Sequence, residues 1–263
     1  MNWRTIVSSI VEQIKNSSSI EGVFLSGSLI DENKDRYSDI DLGIASRNSS
    51  ESFRKAYSLR HRIVAAVGQP VQFIERGWEH CRMIATLYAK SQFPPNGLEV
   101  DVVFSQLKHV SEQMPYADYE VVFDRSGRLK RALDAIARRK PKREIERELK
   151  QQLNWFPFYV HDAVKAYKRR DLFNLQSLLE EMRKAIFFAA ATQAGGQVYG
   201  AKRVFKFLSV AERQIIETSY RESTERTIQS LTESYVACLT ALQSDYHIEQ
   251  DVERFRASLR ELI

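Results

Sequence analysis

The 263-residue sequence predicts an α+β domain, a mixed sheet with flanking helices, followed by an all-α helical bundle. Three observations predict it. Short apolar runs of strand length alternate with helical stripes as far as Gly127. A basic stretch follows, with eight Lys or Arg and one acid between Arg128 and Arg143. Beyond it, the helical period dominates the apolar pattern. The expected domains are therefore 1–127 and 128–263, the second opening with a basic connector over 128–143.

Trp3, Ile6, Val7, Ile10, Val11 and Ile14 fall on one face of a helix that Asn16-Ser17-Ser18-Ser19 ends. Val23-Phe24-Leu25, bounded by Gly22 and Gly27, reads as a buried strand. Ile40-Asp41-Leu42-Gly43-Ile44 alternates, so Asp41 faces away from Ile40 on a second strand. Phe53, Ala56, Tyr57, Ile63, Val64 and Val67 predict one further helix, closed by Gly68 and Pro70. Strands are expected at Val71–Ile74, Met83–Tyr88, Leu98–Phe104 and Glu120–Phe123, the last stopped by the turn Asp124-Arg125-Ser126-Gly127. In the second half, Leu172, Leu175, Leu178, Leu179, Met182 and Ile186 form a helical stripe that Gly195-Gly196 terminates. Ser209-Val210-Ala211-Glu212 has the form of a capping box, and Val252, Phe255, Leu259 and Leu262 mark a terminal helix. The aromatic run Trp155-Phe156-Pro157-Phe158-Tyr159 reads as core or interdomain packing.

Composition narrows the classes. Two cysteines far apart, Cys81 and Cys238, offer no disulfide framework and no zinc-finger spacing. The longest apolar stretch, Ala185–Ala191, is far below the roughly 20 residues that span a bilayer. A reduced, cytoplasmic protein without a membrane partner is expected. A net charge of +5, concentrated in the connector, argues against nucleic acid as a partner. The five histidines, His61, His80, His109, His161 and His247, show neither HExxH nor a CxxC companion, which argues against a zinc site.

The informative segment is Phe24-Leu25-Ser26-Gly27-Ser28, ten residues, then Asp39-Ile40-Asp41. Gly27 lets the backbone approach an anion, and Ser28 can cap a following helix, an arrangement suited to phosphate. Asp39 and Asp41, two apart on extended chain, point to the same side. Two carboxylates so placed repel unless a cation joins them, and a hard oxygen-ligated ion such as Mg²⁺ satisfies both. Asp101 sits in the apolar run Leu98–Phe104, sharing a face with Glu99. A carboxylate in a buried strand is costly unless paired or metal-bound.

These residues resemble the polymerase-β-type nucleotidyltransferase superfamily. The wording Gly27-Ser28-Leu29 … Tyr37-Ser38-Asp39-Ile40-Asp41-Leu42 is most similar to its antibiotic-modifying branch, the aminoglycoside and lincosamide nucleotidyltransferases. The resemblance implies an EC 2.7.7-type enzyme, connected with antibiotic resistance. Such an enzyme transfers a nucleoside monophosphate from an NTP, with ATP expected, to a hydroxyl of a small acceptor and releases pyrophosphate. It implies two Mg²⁺ ions held by Asp39, Asp41 and Asp101, phosphates bound at Gly27 and Ser28, and Asp101 as the base. A helical-domain lysine is implied for the triphosphate, with Lys202 and Lys184 the candidates and the cleft between the two domains. The chain is expected as a monomer or homodimer. Protein or RNA acceptors, and a non-catalytic nucleotide-binding domain, stay open as alternatives.

Overall fold

The computed structural model describes residues 2–30, 34–35, 37–113, 118–136, 140–196, 201, 204–248 and 250–263. Two compact units divide the chain, Met1–Lys140 and Pro141–Ile263.

The first unit is built on a six-stranded mixed sheet. Its strands are β1 (Ile20–Ser26), β2 (Ile40–Ser46), β3 (Gln72–Trp78), β4 (Cys81–Tyr88), β5 (Leu98–Gln106) and β6 (Glu120–Asp124), in the order β3-β4-β5-β2-β1-β6. All neighbours are antiparallel except β2 and β5, which run parallel at the centre. One face is covered by α1 (Trp3–Ile14), α2 (Ser50–Ser58) and α3 (Arg60–Val67). Ile6, Val7, Ile10, Val11 and Ile14 bury the predicted stripe of α1 against Val23, Leu25, Ile40, Leu42, Ile44, Val100, Val102 and Phe104. Burying one side chain of this size is worth about 1.5–3 kcal/mol, so the stripe alone anchors the helix.

The alternation of each strand sends the remaining residues to the opposite face. There Phe24 and Ala45 meet Leu107 and Val110 of a 3₁₀ segment, Leu107–Glu112, and Leu129 and Leu133 of α4 (Arg128–Asp134). This smaller layer leaves Asp41, Gly43, Asp101 and Val103 around a pocket in the same unit. Helix α4 packs on the sheet, so the chain stays with the first unit beyond Gly127 and through Lys140. Glu21 fastens that connection: its buried carboxylate pairs with Arg128 Nη2 at 2.5 Å and accepts from the Ser126 hydroxyl. Burial pushes Glu21 up, but the bonds from Arg128 and Ser126 outweigh it and hold the carboxyl below its ordinary value.

Three local expectations are corrected. The stripe Phe53–Val67 is two helices, because Leu59 takes ψ −6° and the Ser58 hydroxyl bonds the Lys55 carbonyl at 2.7 Å. Strand β3 begins after the exposed Val71 and runs to Trp78; as an edge strand it is mostly solvated, and its apolar pattern is correspondingly weak. Past Ser26 there is a single 3₁₀ turn, Gly27–Leu29, without a side-chain cap, in place of a helix capped by Ser28.

The second unit is all helical: α5 (Lys142–Lys168), α6 (Leu172–Gln193), α7 (Val210–Arg221), α8 (Glu225–Leu242) and α9 (Val252–Arg260). Leu175, Leu179, Met182 and Ile186 of the α6 stripe lie in its core and Leu178 packs against it, whereas Leu172, at the helix start, is 56% exposed; the capping box at Ser209 and Glu212 forms as expected. Arg138 and Arg139 of the basic run lie outside the described residues. The aromatic run on α5 divides. Phe156 is buried and stacks on Tyr235 at 4.1 Å, whereas Trp155 and Phe158 are 53% and 60% exposed. Positions 155 and 158 share a helix face that 156 does not, so one run cannot all enter one core. Among the described residues, no helix is long and apolar enough to cross a membrane.

Candidate active site

The parallel pairing of β2 and β5 sets Asp41 opposite Asp101, register partner to register partner. Ser26, the last residue of β1, lies opposite Asp41 from the other side. Across β4 the same row continues, with Met83 beside Val103 and Ala85 beside Asp101. Ser26, Asp41, Gly43, Met83, Asp101, Val103 and Gln113 line a pocket of about 140 Å³ on the less covered sheet face. Asp101 Oδ1 is shielded from solvent. Gln113 closes one side and donates from Nε2 to Ser105 Oγ at 2.5 Å.

Two glycines make room for this arrangement. Gly27, at φ +70°, is exposed directly after β1, and a Cβ there would collide with Asp41 Oδ2. Gly43 lies on the pocket face, where a Cβ would run into the Phe24 ring and Gln113 Oε1. Both positions therefore exclude a side chain, one by conformation and contact, the other by contact alone.

Asp39 precedes β2 and is half-buried at the strand's entrance. A tight turn delivers it: Tyr37 N–H donates to Asp35 Oδ1 at 2.8 Å, and Asp35 N–H donates to Ser38 Oγ at 3.0 Å. Asp41 and Asp101 thus line one pocket, with Asp39 two residues away along the chain. Glu99 lies two residues before Asp101 on the same side of β5. Asp41 and Asp101 are hard oxygen donors of the kind Mg²⁺ takes, and the bare backbone at Gly27 leaves the space over Asp41 clear of side chain, so the chemistry of this pair suits such an ion, whereas Asp39 does not line the pocket with them.

The whole-sequence comparison decides the family. Residues 2–245 match the streptomycin adenylyltransferase family. The chain belongs to that family. Membership makes it an adenylyltransferase of the EC 2.7.7 type, with ATP as co-substrate and nucleotidyl transfer to an antibiotic as the family's chemistry. Among solved structures, an aminoglycoside 6-adenyltransferase from Bacillus subtilis is similar at 13% identity and TM-score 0.41, covering 97% of this chain and 96% of that one. A nucleotidyltransferase-like protein from Exiguobacterium sibiricum 255-15 is similar at 10% identity and TM-score 0.39, covering 92% and 75%. No curated protein matches the sequence.

Within this adenylyltransferase, the two basic candidates differ in what is described. Lys184 stands on α6, half exposed, with Nζ 2.7 Å from Glu181 Oε1, whose hydrogen bond raises its pKa. Lys202 lies outside the described residues. Ser26, Met83 and Gln113 escaped sequence reasoning. Ser26 adjoins the Gly27-Ser28 pair and could have been found by extending the strand's alternation. Gln113 follows a 3₁₀ segment and carries no sequence signal.

Proposed function

We propose that this chain transfers AMP from ATP to a hydroxyl of an aminoglycoside, with Asp39, Asp41 and Asp101 as the acidic centre. The observation that carries the reading is the side-by-side placement of Asp41 and Asp101 on adjacent parallel strands, at the foot of the Gly27 turn. Two carboxylates lining one pocket supply the oxygen donors that a hard divalent cation takes. Mg²⁺, when bound, supplies positive charge to the phosphates and to the oxygens that gain charge during an in-line displacement.

The chain's own residues do the rest. Asp39 and Asp41 hold the ion, and the backbone N–H groups of Gly27 and Ser28 receive phosphate oxygens. Asp101 accepts the proton of the acceptor hydroxyl as its oxygen attacks the α-phosphorus. The bond from that phosphorus to the β-phosphate bridging oxygen breaks, and pyrophosphate leaves with the electron pair. Gln113 and Ser105, hydrogen-bonded to each other, hold the pocket wall in place. Catalysis on this reading is positioning and electrostatics more than covalent chemistry. Modification of the hydroxyl would block the drug's recognition and so confer resistance.

The test is pyrophosphate release from ATP and Mg²⁺ across an aminoglycoside panel that includes streptomycin. One or more of these acceptors should stimulate release in the wild type, and Asp41→Asn should abolish it. Stimulated release that survives Asp41→Asn overturns the assignment of the centre. No stimulation by any aminoglycoside overturns the acceptor class.

A further inference from the structure

Two of the five histidines, set aside by spacing alone, meet in space. His80 occupies the β3–β4 turn, beside Glu79, which adopts φ +29°. His109 and Glu112 lie three apart on the 3₁₀ segment Leu107–Glu112, and on such a helix side chains three apart eclipse one another. The pairing of Cys81 with Ser105 brings the two segments to the same end of the sheet. One ligand atom from each of His80, His109 and Glu112 lies within 4.8 Å of the others.

We propose that these three residues form a binding site for a borderline-soft divalent ion of the Zn²⁺ class. Four features converge on it. Two imidazoles from segments far apart in sequence stack at 3.8 Å between centroids, which sets ring nitrogens side by side. His109 Nδ1 lies 2.7 Å from Glu112 Oε1, so an imidazole nitrogen and a carboxylate oxygen already face one another as two donors for one ion. Glu112 Oε2 is shielded from water and has no hydrogen-bond partner among the described residues. An ion would satisfy that oxygen, whose burial otherwise costs free energy. Finally, His109 and Glu112 are only 19% and 33% exposed, whereas His80 faces solvent. That leaves room for water as a fourth ligand. Two imidazoles and a carboxylate with an open position form a set that Zn²⁺ takes and Mg²⁺, which prefers oxygen, does not.

The site is independent of the adenylyl-transfer reading, and its ligands are separate from the acidic centre. It has one physical link to that centre. Glu112 is the chain neighbour of Gln113, which lines the acid pocket. An ion held there would tie the β3–β4 turn to the segment that carries Gln113.

The experiment is titration of the full chain at neutral pH with Zn²⁺ alone in excess Mg²⁺, followed by calorimetry and by competition with a chromophoric chelator. One Zn²⁺ per chain is expected, weakened roughly tenfold or more in each of His80→Ala, His109→Ala and Glu112→Gln. Asp41→Asn/Asp101→Asn should bind Zn²⁺ like the wild type. His80 is exposed in a turn, so its variant should keep the wild-type circular dichroism and melting curve and isolates ligation from folding. Co²⁺ in place of Zn²⁺ should give the visible absorption of a four-coordinate site, lost in His80→Ala. No stoichiometric binding in the wild type, binding unchanged in His80→Ala, or binding lost in the Asp41/Asp101 variant would each overturn the proposal.

Discussion

Arg183 in the helical unit and Glu21 in the sheet unit are both buried charges, and each is enclosed by groups of the complementary kind. Arg183 meets Glu180 at 3.0 Å, donates to Ser219 Oγ and to the Ser219 carbonyl at 2.8 and 2.6 Å, and lies over the Tyr220 ring at 3.8 Å. Glu21 has Arg128 and the Ser126 hydroxyl. The central strands of the sheet do the opposite and align two carboxylates, Asp41 and Asp101, side by side. The difference separates structural charge from chemical charge. A charge that holds the fold is enclosed within the core, whereas two carboxylates on one pocket wall stand where a ligand can reach them.

The comparison breaks most sharply at Asp101. Asp101→Asn should lower turnover by about a hundredfold to ten-thousandfold, the usual worth of a positioned base. Asn keeps the shape of the side chain, so the melting temperature should change little. A fall in melting temperature without a fall in turnover would move Asp101 to the structural class. Arg183→Ala should show the reverse. Losing a buried, hydrogen-bonded charge costs about 3–5 kcal/mol, read as a lower urea midpoint.

Gly27→Ala tests both classes at once. The left-handed backbone costs about 1–2 kcal/mol for a side chain, and the new Cβ would push Asp41 aside. Turnover should therefore fall by more than that loss of stability accounts for, seen by comparing rates and melts on one preparation. Smallest is Arg128→Ala, which removes the partner that keeps Glu21 acidic. Because the folded Glu21 carboxyl lies below its ordinary value of 4.5, its contribution is present above that pH and lost as pH falls through the folded value. The variant should be less stable than wild type at pH 7, and the gap should narrow on acidification below about 4.5, measured by urea midpoints across pH.

Much of the centre was legible because it is written locally. Gly27-Ser28 and Asp39-Ile40-Asp41 are short, and their spacing carries the resemblance to nucleotidyltransferases. Asp101 was legible for a different reason, since an acid in an apolar run violates the strand's pattern. What could not be read depended on pairing across the sheet. Gln113 reaches the pocket through a 3₁₀ segment, and His80 meets His109 through the Cys81–Ser105 pairing. The fold shows the same limit. α1 and α6 announced themselves by periodicity, but β3, exposed on an edge, has little apolar signal. The break at Leu59 arises from a backbone angle, and the apolar residues on either side of it read as one stripe. That α4 packs on the sheet through Leu129 and Leu133 is a tertiary fact, invisible beside the basic residues around it.

The parallel alignment of β2 with β5 has a further consequence for how the chain reaches its working form. A slip of one residue would turn Asp101 into the layer now filled by Val100, Val102 and Phe104, and would send those side chains outward. Burying that carboxylate among them would be heavily penalised, so the misaligned sheet is disfavoured by the same residue that we propose as the base. The acid thus proofreads the assembly of its own site, and a chain that folds at all is a chain whose two aspartates have met.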